Sequence, residues 1–350
     1  MERGAVGPEG GPPVEAVGGT GPAGDIGSAR RRWPVLVGRL AVSLGMLGVL
    51  LWRVPHVRVE DLLPDWDADT PVFLALAAAL TLAGIVLSTL RWRTVLNALG
   101  HDSKLQTLLS YNLAGLFVSN VLPTTIGGDV LRVSRLSREN GETATSFASV
   151  VLERLTGWLV LPVITLVGLG VNPGLLHLGN ATRVAVALAV GTLVALAVVL
   201  AGVASQRFGS RVTGSDGWRR FAAAVHLGMD RLRRRPAAAI NVLLVGFAYQ
   251  LVLVLAALMA ARAIGMGVAV GPTALLAFFP AVLIAQVLPI SISGLGVREG
   301  AFVLFLTPLG VPTQQAIALG LLLYLLNVAV SLLGAPAFAV GGRSARTIAA

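Results

Sequence analysis

Long apolar stretches alternate with short, arginine-bearing polar ones along most of the chain. A helix needs about 20 apolar residues to cross roughly 30 Å of hydrocarbon. Five stretches meet that length plainly, at about 35–53, 72–90, 182–204, 237–262 and 313–340. A sixth, at about 144–170, crosses although it carries Glu153 and Arg154 near its start. Two more apolar segments, at about 105–122 and 272–290, run directly into stretches of proline, glycine and polar residues. The pattern predicts an all-α polytopic membrane protein.

Those two broken stretches are copies of each other. Residues 119–132, "SNVLPTTIGGDVLR", align with residues 285–298, "AQVLPISISGLGVR", at a constant offset of 166. The alignment matches Val121 with Val287, Leu122 with Leu288, Pro123 with Pro289, Ile126 with Ile292, Gly128 with Gly294 and Arg132 with Arg298. Proline removes a backbone donor and ends a helix, while glycine permits tight turns and close backbone approach. Pro123, Gly127 and Gly128 in the first copy, with Pro289, Ser293, Gly294 and Gly296 in the second, are therefore expected to shape two helical hairpins.

Basic loop residues give the sides. Arg30–Arg32, the group Arg91, Arg93 and Lys104, the long central run Arg207–Arg235, and Arg343 with Arg346 should all face the cytoplasm. The loop between the first two spans carries Glu60, Asp61, Asp65, Asp67 and Asp69 and suits the outer face. Parity then requires residues 105–143 to begin and end inside, and 272–312 to begin and end outside. This is span, re-entrant hairpin, span, written twice in opposite orientations, the inverted-topology design of many transporters. Six full spans plus two hairpins satisfy this parity, as two extra crossings per hairpin also would; the alternative is eight spans, with both broken segments crossing as ordinary spans. The expected organisation is a disordered cytoplasmic tail at 1–29, a transmembrane domain at 30–342 and a cytoplasmic tail at 343–350. Within the domain, repeat 1 covers about 72–170, a basic cytoplasmic loop 205–236, and repeat 2 about 237–340.

Composition narrows the class further. The chain is 55% hydrophobic and 13% charged, so its net charge of +10 reads as orientation against an anionic leaflet, not as a nucleic-acid surface. Cysteine is absent, which removes disulfides and thiolate chemistry, and His56, His101, His177 and His226 lack metal-ligand spacing. No metal or other cofactor is expected. The glycine-bearing stretches do not match the phosphate-binding pattern of ATPases. In "GWRRFAAAVHLGMDRLRRR", residues 217–235, Trp218, Phe221, Ala222, Val225, Met229 and Leu232 fall at helical spacing opposite arginines. This predicts a helix lying on the anionic cytoplasmic surface.

Irregular backbone at membrane depth is tolerated where it is buried or lines a wet cavity, so the two copies mark the candidate site. Arg132 and Arg298 offer planar forks suited to a phosphate. Asp129 and Glu299 are partners for Arg154 and Arg298, or ion carriers. Glu153 and Arg154 project about 100° apart on a helix and do not suit a direct pair. Asn120 and Gln286, each three residues before its proline, suit the ends of broken helices. The substrate-binding set is thus Asn120, Asp129, Arg132, Glu153, Arg154, Gln286, Arg298 and Glu299.

With "RWRTVLNALG", "VLPTTIGGDVLR", "SVVLERLTG" and "ISISGLGVREG" in this order, the chain resembles the flippase-like transmembrane region of lysylphosphatidylglycerol synthases over about residues 35–342. The resemblance implies an integral protein of the cytoplasmic membrane that moves a lipid or lipid-linked headgroup between leaflets. Its partners would be a phospholipid or polyprenyl-linked lipid, with homo-oligomer or envelope-enzyme contacts open. The synthases add a soluble aminoacyl-transfer domain, and because this chain stops at Ala350 a stand-alone, non-enzymatic member is expected. The counterpart of Arg154 in the second repeat falls near Tyr324 and Asn327, so the expected cavity is not charge-symmetric. An integral transferase using Asp129, Glu153 or Glu299, or a membrane scaffold, are the alternatives.

Overall fold

Uninterrupted runs of Leu, Val and Ala build the long helices of the computed structural model, which describes residues 67–121, 127–204, 223, 225–226, 228–231, 233–267, 270–287 and 294–339. The expected span at 35–53, both tails, Pro123, Pro289, Ser293, Trp218, Phe221, Ala222 and Leu232 lie outside the described residues. The described residues are all-helical. In order come α1 (Thr70–Ala98), α2 (Leu105–Val121), α3 (Gly127–Asn140), α4 (Thr143–Val171), a 3₁₀ turn (Pro173–His177) and α5 (Asn180–Ala204). They continue with α6 (Pro236–Ala263), α7 (Pro272–Val287), α8 (Val297–Leu306), a second 3₁₀ turn (Thr307–Leu309) and α9 (Thr313–Ser331).

Among the described residues five helices, α1, α4, α5, α6 and α9, are long and apolar enough to cross a membrane. Prolines sit in the first turns of α1 and α6, where the missing N–H has no intrahelical partner to lose. Val86 on α1, Val194 and Val198 on α5, Leu244 on α6 and Leu325 on α9 point outward. In hydrocarbon this exposure costs nothing, because lipid tails are as apolar as the side chains. The span expected at 313–340 is broken instead: α9 ends at Ser331, a turn follows, and residues 334–339 form a short separate helix. Pro336 supplies the reason, since its ring and missing N–H conflict with the carbonyl four residues earlier.

Helix pairing rests on small residues. α1 packs chiefly along α6, and α4 along α7. A side chain on Gly168 of α4 would come within 2.5 Å of the backbone nitrogen of Ala277 on α7. Close approach of this kind is what glycine permits between membrane helices. The interior of the second half is apolar, with Phe278 of α7 stacked on Phe305 of α8 at 5.2 Å and Phe279 on Phe302 at 6.1 Å.

Each motif copy lies between two short helices that pack on each other, α2 with α3 and α7 with α8. A Cβ on Gly128 would collide with the carbonyl oxygen of Gly115, so glycine is what lets α3 rest on α2. In the second copy, Gly294 and Gly296 adopt φ of +76° and +82°, in the left-handed region that favours glycine.

In the basic segment before α6, Val225 is fully buried and Gly228 lies against Leu152. Arg231 Nη1 donates to the Leu99 carbonyl at 3.2 Å, and Arg235 Nη1 to that of Asn97 at 3.4 Å. One face of this segment is thus held on the end of α1 and on α4 at Leu152.

Candidate functional site

Glu153 is the hub of a buried ionic chain. It lies about three turns into α4, and its carboxylate takes two arginines, one on each oxygen. Arg91 Nη2 of α1 donates to Oε1 at 2.7 Å, and Arg132 Nη2 of α3 donates to Oε2 at 2.6 Å. Both guanidinium groups also lie over aromatic rings, Arg132 4.1 Å from Trp92 and Arg91 5.0 Å from Tyr249. Trp92 in turn donates its indole N–H to Ser149 at 3.0 Å. A charge at this depth is tolerable only when paired and held by further polar or aromatic contacts.

The chain continues outward. Asp129, in the first turn of α3, accepts from Arg154 Nε at 3.1 Å and Nη2 at 2.8 Å, and from Arg132 Nη1 at 3.4 Å. Glu153 and Arg154 make no bridge to each other, as the angle between consecutive helical residues requires. The alternation runs Arg91, Glu153, Arg132, Asp129, Arg154. Its exposure rises along the way, from a side chain 5% exposed at Arg132 to one 57% exposed at Arg154.

The second motif copy builds a smaller, neutral counterpart. Arg298 Nε donates to Glu299 Oε1 at 3.2 Å, and Glu299 Oε2 accepts the Gly296 N–H at 2.6 Å, at the outset of α8. Glu299 is fully enclosed and packs on Gly320 of α9, where any larger residue would meet its side chain. The Arg298 guanidinium lies 5.2 Å from the Tyr324 ring.

Between these two constellations opens a cavity of about 1010 Å³. Asn120, Asp129 and Arg154 line it from the first copy and α4, and Gln286 and Arg298 from the second. Tyr324 and Asn327 of α9 complete the polar wall, and Val133, Phe147, Val151, Leu155 and Trp158 form an apolar one. Arg132, Glu153 and Glu299 stand behind the wall, each engaged with a neighbour of opposite charge. Among the described residues, Asn120 Nδ2, Gln286 Oε1 and Arg298 Nη2 are sequestered without a hydrogen-bond partner. Gly294 leaves the space that the Gln286 side chain occupies, since a Cβ there would lie 2.8 Å from Gln286 Cβ.

Two residues escape a reading of the sequence. Arg91 follows an apolar run and belongs there to a group of loop arginines, yet it is buried against Glu153. Its only signal is the aromatic flank at Trp92. Arg135 bridges to another part of the chain, donating through Nη1 to the Ala337 carbonyl at 3.0 Å and through Nη2 to that of Phe338 at 3.1 Å.

Comparison with known proteins agrees with this architecture. A UPF0104 membrane protein of Methanothermobacter thermautotrophicus is 29% identical over 107 residues, 30% of either chain. One of Methanocaldococcus jannaschii is 24% identical over 123 residues, 35% of this chain and 37% of its own. The chain thus spans about a third of the length of the curated relatives it matches. No solved structure gives a significant match. The family described as "Lysylphosphatidylglycerol synthase TM region" matches residues 36–334, through both motif copies and the helices that carry the ionic chain. This multi-pass membrane protein belongs to the lysylphosphatidylglycerol synthase TM region family.

Proposed function

We propose that the protein is a lipid translocator, moving an anionic or lipid-linked phosphate headgroup between the leaflets of the cytoplasmic membrane. The observation that carries this reading is the ionic chain from Arg91 to Arg154. It holds three arginines against two carboxylates, and its exposed end, Arg154, lies on the cavity wall. One positive charge is left over on the cavity wall, and within a membrane an uncompensated charge is costly. An anionic headgroup supplies the counter-charge, Arg298 addresses it from the other motif copy, and the apolar wall of Phe147, Val151, Leu155 and Trp158 suits the chains of the lipid.

Carriage fits the site better than transfer chemistry does. Asp129, Glu153 and Glu299 each serve as counter-ion to an arginine, which leaves none of them as a base. The two motif copies are read as re-entrant hairpins of an inverted repeat, with both termini in the cytoplasm. Helices α2 and α7, of 17 and 16 residues, rise about 25 Å at 1.5 Å per residue, short of the hydrocarbon thickness. The lengthwise pairing of α1 with α6, which open the two repeats, suits a pseudo-twofold arrangement.

The test is leaflet-resolved transport in proteoliposomes with fluorescent phosphatidylglycerol, lysylated phosphatidylglycerol and a polyprenyl phosphate. Movement of at least one lipid is expected, reduced about tenfold or more by Arg154→Gln and by Arg298→Gln, as for loss of a charge-assisted hydrogen bond. Absence of movement for every lipid, with and without an ion gradient, would overturn the proposal.

A further inference from the structure

The cavity has a polar surface that an anion alone does not use. Asn120 and Gln286 occupy equivalent places in the two motif copies, three residues before their prolines. Both residues line the cavity, and behind their surface the Asn120 Nδ2 donor and the Gln286 Oε1 acceptor are enclosed without a hydrogen-bond partner among the described residues. A hydroxyl both donates and accepts, so it satisfies such a pair, whereas a phosphate oxygen only accepts and an ammonium only donates. Ser119, Tyr324 and Asn327 add further neutral groups of the same kind to the wall.

The charges around the cavity point the same way. Asp129 is the described carboxylate on the wall, and two nitrogens of Arg154 already hold it. Glu153 is shared by two arginines, and Glu299 is enclosed between Arg298 and the Gly296 N–H. An ammonium entering here would face Arg154 and Arg298 with no unpaired carboxylate among the described lining residues.

From this we propose, resting on the translocator reading, that the cavity selects a lipid phosphate bearing a neutral polyhydroxyl group, glycerol or a sugar-like ring, over one bearing an ammonium. Arg154 and Arg298 take the phosphate, and the Asn120 and Gln286 amides take the hydroxyls. Selectivity thus resides in the two motif copies jointly, one amide from each.

The experiment is equilibrium binding by the full chain in phosphatidylcholine nanodiscs, read by native mass spectrometry, so that it does not depend on transport. The probes are phosphatidylglycerol, phosphatidylinositol, phosphatidylmethanol and lysylated phosphatidylglycerol. Phosphatidylmethanol keeps the phosphodiester charge and lacks hydroxyls. The expected result is that phosphatidylglycerol and phosphatidylinositol bind about tenfold tighter than the other two, as for a site built to hydrogen-bond a hydroxyl. The double variant Asn120→Leu, Gln286→Leu should remove the preference for phosphatidylglycerol over phosphatidylmethanol, while Arg154→Gln weakens all three anionic probes alike. If one hydroxyl lipid binds and the other does not, the headgroup is assigned to that class. Equal binding of phosphatidylglycerol and phosphatidylmethanol overturns the selectivity but leaves the anion site standing. Tighter binding of the lysylated lipid overturns it in the opposite sense. Failure of every anionic probe to bind above the phosphatidylcholine background removes the anion site, and the translocator reading with it.

Discussion

Glu153 shows how one side chain holds several helices, since it ties α1, α3 and α4 through two guanidinium groups. Glu153→Ala leaves Arg91 without its counter-charge and Arg132 with only its 3.4 Å contact to Asp129, and should destabilise the protein by about 3–5 kcal/mol, measured by thermal unfolding in detergent. At Gly128 the effect is steric: Gly128→Val should cost about 1–3 kcal/mol, because α3 must move off the Gly115 carbonyl. Glu142, ahead of α4, accepts from Thr145 at 2.7 Å and lies 3.1 Å from His101 Nε2. The Thr145 hydrogen bond first, and then His101, hold its carboxyl below the ordinary value of 4.5. A lowered folded value means that this stabilisation is present above pH 4.5 and is lost as pH falls through the folded value. The melting difference between wild type and Thr145→Val should therefore be largest at neutral pH and shrink in acid. At this scale Asp129, Glu153 and Arg154 stood out in the sequence as ionisable groups near apolar runs. Arg91 did not, because an arginine after a span has the same local pattern whether it meets water or a carboxylate 62 residues away.

Helix ends carry the same lesson. The periodicity and length of the apolar runs placed α1, α4, α5 and α6 within a few residues at most ends, but α1 extends to Ala98, past the arginines that were to close it. Arg91 lies within this helix, its charge neutralised inside the bundle by Glu153. The end of α9 depends on contacts with another element. Gly334 lies against the Leu113 carbonyl, Phe338 sits 5.9 Å from Phe117, and Arg135 caps the carbonyls of Ala337 and Phe338. Arg135→Ala should release the helix at 334–339 from α2 and α3, seen as at least a tenfold faster amide exchange in that segment with exchange in α6 unchanged. Equal exchange in wild type and variant would mean that the aromatic contact alone holds it.

Across the whole molecule, the proposed inverted repeat makes a claim about sides that labelling can test. The chain contains no cysteine, so single cysteines report without background. Cysteines replacing Lys104 and Glu139, which flank the first motif copy, should react with an impermeant maleimide from the cytoplasmic face of oriented membranes. Those replacing Gly271 and Gln314, which flank the second, should react from the outer face. Reaction of one pair from opposite faces would mean that its hairpin crosses the bilayer. The sequence by itself determined the membrane class, the long helices, the duplicated motif and its glycines, because hydrocarbon imposes length and apolarity residue by residue, and a proline or glycine acts on its own backbone. Which charges neutralise one another, which arginine is left facing a cavity, and that Asn120 and Gln286 share that cavity were decided only by the tertiary structure. Those facts depend on distances between segments far apart in the chain, and packing alone sets such distances.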